Sequence, residues 1–240
     1  MKNVIIYQTF IDKPKTAYTW TEEMVFAYLR AQVDNSLRLG WNINDIIICT
    51  NLDFSYKDVV IIKLDDICYY NKFFNKQYGI AELLSKKLID DIFWFHDFDD
   101  WQLNKFEFPV FNGDIGMCKY LDDSQWNTGS IFIKPSSLDI WLLIVEFMKL
   151  NASIETIHQW GDENAFNYIY NSYNEIHSRL SKLNNTYNIG VTQFEQRYAM
   201  ATLPISVAGF KPDYKGYDFF LDRNLIPIEL QEIFKTHKII

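Results

Sequence analysis

Short apolar runs alternate with longer stretches of helical periodicity through the first third of the chain. Asn3–Tyr7, Asp45–Cys49 and Val59–Leu64 are compact runs rich in β-branched residues and read as strands. Between the first two, Met24, Val25, Tyr28, Leu29, Val33 and Leu37 recur at helical spacing. That spacing predicts a helix over Thr21–Leu39, with Thr19 or Thr21 as N-cap and Gly40 as the stop. Continuous apolar strands with amphipathic helices between them are the pattern of buried parallel βαβ units. Asn75–Leu88 reads as a further helix, and Ile92–Phe95 as a fully apolar strand.

The middle is less regular. Met117–Tyr120 and Ser130–Ile133 read as strands, and Leu138–Leu150 as a helix begun at Ser136 or Ser137. Asp162–Tyr173 reads as a helix preceded by Gly161. Asn184, Asn185 and Asn188 then mark turns, and Gly209, Pro212, Gly216 and Pro227 punctuate the tail. The expectation is one α/β domain over residues 1–240, with a mostly parallel central sheet, flanking helices and an irregular C-terminal part.

Composition narrows the function classes. Acids outnumber bases 31 to 23, a net charge of −8 that repels polyanions, so no nucleic-acid partner is expected. Cys49, Cys68 and Cys118 are odd in number and form no paired metal spacing, which fits reduced thiols in a cytoplasmic chain. The opening run is cut by Gln8 before a signal-peptide core is complete, and the longest strongly apolar run, Ile140–Val145, stops at Glu146. No membrane span is expected.

Candidate chemistry centres on Ile92-Phe93-Trp94-Phe95-His96-Asp97-Phe98-Asp99-Asp100, a buried strand running into three carboxylates. In an extended chain, side chains two apart point the same way, so Asp97 and Asp99 can converge while Phe98 faces away. Such a pair is a hard-oxygen site suited to Mg²⁺ or Mn²⁺, which keeps positions for water and phosphate. The plainer reading is a solvated acidic turn in which Asp100 caps the next segment. Farther on come Trp126-Asn127-Thr128-Gly129 before an apolar strand and Trp160-Gly161-Asp162-Glu163 at a helix start. Leu183 with Asn188, and then Gly209-Phe210-Lys211-Pro212, complete the series.

In that order these motifs resemble the GT-A glycosyltransferases that use nucleotide-diphosphate sugars, with a pattern closest to family eight and its relatives. The resemblance runs over nearly the whole chain. It implies a nucleotide-binding half over about residues 1–100 and an acceptor-binding half over about 101–240. It also implies a metal motif at Asp97 and Asp99, and a UDP-sugar as the expected donor. One position departs: the family's metal-binding histidine, three residues before the last glycine, is Ser206 here. Water in its place, His237 swinging in, or weakened metal dependence would each accommodate the change.

The chemistry of sugar transfer assigns roles to further residues. A metal on Asp97 and Asp99, with Lys211 and Lys76, would neutralise the leaving diphosphate. Asp162 or Glu163, at a helix N-terminus, is the candidate base or stabilising carboxylate, unless both merely satisfy the helix dipole. Tyr7, Gln8 and Thr9 would meet base and ribose, or form an ordinary strand-end turn. Asn127, Thr128 and Gly129 would line the cleft where backbone approaches a sugar closely. Trp101, Trp126 and Trp160 either line an acceptor groove or pack inside, whereas Phe93, Trp94 and Phe95 read as core. The acceptor would be a glycan or another hydroxyl compound. A catalytically silent sugar-nucleotide or glycan-binding domain is the alternative. A DxD phosphotransferase fits less well, because that chemistry usually places its acid pair after the first strand.

Overall fold

The computed structural model describes residues 1–8, 20–64, 75–121, 123, 125–151, 162–212 and 216–240. Thr9, Thr19, Cys68, His158, Trp160 and Gly161 lie outside the described residues. The chain opens with β1 (Lys2–Tyr7), α1 (Glu22–Arg38), β2 (Ile46–Thr50) and β3 (Val60–Lys63). It continues through α2 (Asn75–Ser85), β4 (Phe93–His96), β5 (Asp100–Gln102), β6 (Ile115–Lys119) and β7 (Trp126–Ile133). Then come α3 (Leu138–Asn151), α4 (Asp162–Ser172), β8 (Leu180–Lys182) and α5 (Phe194–Met200). β9 (Val207–Gly209), α6 (Tyr217–Asp222) and α7 (Ile228–Thr236) close it.

Seven strands form one central sheet in the order β3-β2-β1-β4-β7-β6-β8. β1 pairs in parallel with β2 and β4, β2 with β3, and β6 with β8, while β7 runs antiparallel to both of its neighbours. The expected mostly parallel sheet is therefore present. Alternation along β1 explains its two faces. Val4 and Ile6 pack with Phe93, Phe95 and the helices α2, α3 and α4, while Ile5 faces Val25, Leu29 and Val33 of α1. Both faces are buried in β1, β2 and β4, so these strands read as apolar runs, whereas β3 at the sheet edge is half-buried to exposed.

α1 begins where the sequence places it. Thr21 accepts a hydrogen bond from the Met24 backbone N–H at 3.2 Å, and Gly40 follows the last turn at φ +87°, a conformation glycine adopts freely. The tail is more ordered than its turn residues indicate. β5 and β9 form a second, two-stranded antiparallel sheet, and Trp101, Phe210, Phe220 and Phe234 pack into a separate core against α1. Among the described residues, no helix is long and apolar enough to cross a membrane.

Candidate active site

The carboxyl edge of the sheet gathers the acids. β4 ends at His96 and leads straight into Asp97, and because β7 is antiparallel its first residues lie at that same edge. The Asp97 N–H donates to the Gly129 carbonyl at 2.7 Å, fixing the two segments side by side. Asp97 and Asp99 are not two places along an extended strand. The Asp100 N–H donates to the Asp97 carbonyl at 2.9 Å, so the chain closes a tight turn over residues 97–100. Phe98 does point away as expected, into an aromatic cluster with Tyr7, Trp20 and Tyr28.

Buried side chains hold this turn from below. Gln32 of α1 donates to the carbonyls of Phe98 and Asp100, both at 2.9 Å. His96 Nδ1 lies 3.0 Å from the carbonyls of Asp97 and Asp100, which assigns its proton to that nitrogen. Burial pushes the His96 pKa down to about 4, so the ring is a neutral support for the turn.

Asp100 departs most from its expected place. It begins β5 and is 3% exposed, so it is neither a solvated turn residue nor a cap. Burial raises its pKa well above the carboxylate range, and Asp97 and Asp99 push it the same way. Asp97 and Asp99 are raised too, chiefly by burial, against the pull of Lys76 on Asp97 and Lys211 on Asp99. Asp97 keeps 33% of its side-chain surface exposed, so solvent screens its shift in a way that Asp100 does not share.

Lys76, in the first turn of α2, joins three segments. Its Nζ lies 3.0 Å from Asp97 Oδ2, 2.5 Å from Asp162 Oδ2 and 3.1 Å from the Thr128 carbonyl. Burial alone would lower the pKa of this ammonium, but Asp162 and Asp97 outweigh it and the net shift is upward. Glu163 accepts from the Tyr120 hydroxyl at 2.8 Å and from the Thr128 N–H at 3.1 Å. Burial and the neighbouring Asp162 raise its pKa. Asp162 and Glu163 thus do more than cap a helix, since each is bonded to Thr128 or to Lys76. Residues 127–129 are not a turn before the strand, as the sequence suggests, but part of β7 itself, paired into the sheet.

The remaining expected residues divide. Asn127 Oδ1 accepts from the Gly129 N–H at 3.0 Å and from Asn188 Nδ2. Tyr7 and Gln8 end β1 beside α2, where Asn75 Nδ2 donates to the Gln8 carbonyl at 2.9 Å, and burial pushes the Tyr7 hydroxyl up to about 12. Lys211 Nζ stands 3.9 Å from Asp99 Oδ2. Trp101 and Trp126 do not line a groove: both are buried, Trp101 donating to the Phe210 carbonyl at 3.0 Å. His237 does not swing in, because Asp34 of α1 holds its Nε2 at 2.8 Å. Tyr120 and Arg197, both tied to this region, carry no local sequence signal that marks them. Among the described residues, no group of three or more His, Cys, Asp or Glu side chains is arranged to hold a metal ion.

No protein-family model matches this chain, and comparison with curated proteins finds no match. Solved structures do match. LgtC, a galactosyltransferase solved with donor and acceptor sugar analogues, aligns over 97% of this chain and 100% of its own at TM-score 0.59 and 12% identity. The fold is that of the GT-A glycosyltransferases. GlyE, a glycosyltransferase of Streptococcus pneumoniae TIGR4, shares this GT-A fold at TM-score 0.59 and 12% identity, covering 98% of this chain and 63% of its own. The bifunctional glycosyltransferase WbbM gives TM-score 0.56 at 13% identity, over 98% of this chain and 51% of its own.

Proposed function

We propose that this chain is a metal-assisted glycosyltransferase, moving one sugar from a UDP-sugar donor to a hydroxyl of a glycan or similar acceptor. The observation that carries the reading is Lys76 joined to Asp97, Asp162 and the Thr128 carbonyl at the carboxyl edge of a GT-A sheet. Open α/β sheets bind ligands at that edge. Residues 1–100 would carry the nucleotide, through Tyr7, Gln8 and Thr9, and residues 101–240 the acceptor. Free, buried Cys49 and Cys118 accord with a cytoplasmic setting.

The donor set at the turn fits a divalent cation. Asp97 and Asp99 are hard carboxylates, and burial raises the pKa of both against the pull of Lys76 and Lys211, so a further positive charge beside them is favoured. These two residues would hold Mn²⁺ or Mg²⁺, with water and diphosphate oxygens completing the shell and Ser206 in the family's histidine position. Bound there, the ion supplies a Lewis acid against the charge of the leaving diphosphate. Lys76 and Lys211 add fixed positive charge beside it. Asp162, ion-paired with Lys76, would stabilise positive charge developing on the sugar. Glu163, with its raised pKa and its bond from Tyr120, is suited to exchange a proton with the acceptor. The Asn127–Gly129 stretch of β7 would face the sugar end of the donor, with only backbone atoms at Gly129.

Calorimetry with UDP tests the reading, with and without Mn²⁺. Metal-dependent binding is expected for the native chain, and its loss in Asp97→Asn or Asp99→Asn with the fold intact. Native affinity in both variants would place the site elsewhere. A silent binding domain of the same fold is the second reading, favoured by Ser206. Mn²⁺-dependent hydrolysis of a UDP-sugar separates the two: a silent domain binds the donor without turning it over.

A further inference from the structure

Beneath the start of β7 lies a cluster of buried polar side chains. Asp100 enters it from β5, Arg197 from α5, Asn127 from β7, and Asn188 from the loop between β8 and α5. All four are buried, Arg197 completely. Three glycines make room for them. An added Cβ at Gly129 would collide with Asp100 Oδ2, and one at Gly209 with Asp100 Oδ1. At Gly190 it would lie 2.8 Å from Arg197 Nη1. The carboxylate is therefore clamped between two backbones, and the guanidinium packs against a third at Gly190.

The hydrogen bonding is incomplete on both sides. Asp100 Oδ2, Asn188 Oδ1 and Arg197 Nε and Nη1 have no hydrogen-bond partner among the described residues. Asp100 and Arg197 form no direct ion pair there, although the guanidinium favours the ionised form of Asp100. What Arg197 does bond leads to the proposed site. Its Nη2 donates to the Asn188 carbonyl at 2.5 Å, Asn188 Nδ2 donates to Asn127 Oδ1, and that oxygen also accepts from the Gly129 N–H. The face of its guanidinium lies 5.2 Å from the Tyr120 ring, whose hydroxyl holds Glu163. A fully buried cation is costly unless opposite charge and hydrogen bonds offset it. Here the compensating groups are those that shape the start of β7.

We infer that Arg197 is a positioning residue: buried in one polar cluster with Asp100 and bonded to Asn188, it fixes the Asn127–Gly129 stretch of β7 in the conformation that receives the sugar end of the donor. The inference rests on the glycosyl-transfer reading for its ligand, but the hydrogen-bond chain from Arg197 through Asn188 to Asn127 is present without any ligand. A structural role alone would lower stability and leave the folded fraction binding normally. Positioning predicts a selective loss. UDP has no sugar to meet that stretch, whereas a UDP-sugar does.

The test uses Arg197→Met, Asp100→Asn and the double variant, each with Mn²⁺ at a temperature where the protein is folded. In Arg197→Met the dissociation constant for a UDP-sugar is expected to rise about tenfold, while that for UDP changes less than about twofold. Equal changes for both ligands, or none, would overturn the inference while leaving the glycosyl-transfer reading standing. Stability is read in parallel by urea unfolding. The double variant is expected to lose less than the sum of the two single variants, because Asp100 and Arg197 are buried in one polar cluster and each carries an unpartnered polar atom. Additive losses would overturn the link to Asp100, whether or not any ligand binds. Should Arg197→Met fail to fold, recovery of a folded double variant supports the coupling, and failure of both counts against it. A native chain that binds neither ligand removes the glycosyl-transfer reading and the assigned ligand with it, and the unfolding cycle then decides whether Arg197 and Asp100 are coupled.

Discussion

Gly129 shows at the scale of one residue how a position proposed to face the ligand can also be a packing constraint. The sequence reads it as a small turn before a strand, where backbone could approach a ligand, but it lies within β7. In the folded chain its missing Cβ also leaves the space taken by the Asp100 carboxylate, which a methyl group there would strike. Gly129→Ala is therefore expected to cost about 1–3 kcal/mol of stability by overpacking, read by urea unfolding. Unchanged stability would show that Asp100 can move aside. The acids at the head of α4 carry a separate expectation. Asp162→Asn or Glu163→Gln should lower the turnover number about a hundredfold or more and leave donor affinity nearly unchanged, as for a group that acts in the transition state. Near-normal rates with reduced stability would reduce the pair to a structural link between α4 and β7.

Elements are tied together here by buried polar side chains as well as by apolar packing. Asp34 of α1 is the clearest case, accepting from Lys57 at 2.8 Å, Tyr56 at 3.0 Å and His237 at 2.8 Å. It thereby pins α1 to the loop before β3 and to the end of α7. Burial pushes its carboxyl up, but the hydrogen bonds from Lys57, His237 and Tyr56 outweigh it, and its pKa falls below the ordinary 3.8. A carboxylate with a depressed folded-state pKa adds stability above its unfolded value, and that stability is lost as pH falls through the folded one. Asp34→Asn should therefore be less stable at neutral pH. Its stability should also fall less steeply below about pH 4 than that of the native chain. Parallel curves in that range would mean that Asp34 titrates alike folded and unfolded. The β7 strand makes the complementary point: one antiparallel strand in a parallel sheet brings Asn127–Gly129 to the edge where β1 and β4 end.

At the scale of the whole molecule, a ligand that binds only the folded chain stabilises it by mass action, by about 2.7 kcal/mol at a hundred times its dissociation constant. A melting-temperature series with UDP, GDP, CMP and dTDP, each with Mn²⁺, should single out UDP. An equal response to all four would assign recognition to the diphosphate and not to the base. The acidic balance of the chain, −8 overall, would on the proposed reading leave the lysines at the carboxyl edge and a metal to hold an anionic donor.

Periodicity and turn chemistry are local properties, and whatever depended on them was legible along the chain. The β1–α1–β2 run, Thr21 as N-cap, Gly40 as stop, α3 and α4 are of this kind. So is the emergence of Asp97 from a buried strand, because an apolar run broken by acids is visible without any partner. Asp100 was not legible: it reads like its neighbours until β9 pairs with β5 and encloses it. Three-residue strands such as β5, β8 and β9 are too short to show a period, and they exist because distant segments supply their hydrogen bonds. Lys76 reaches Asp97 and Asp162 only after α2, β4 and α4 have packed around β7. Arg197 is one more basic residue of a short helix until burial removes its water. The sequence by itself determined which segments are strands and helices and where acids interrupt them, since backbone preference and side-chain period act over a few residues. Only the tertiary structure decided which charges share a low-dielectric interior, since burial and the pairing of groups as far as 203 residues apart are set by how the elements pack.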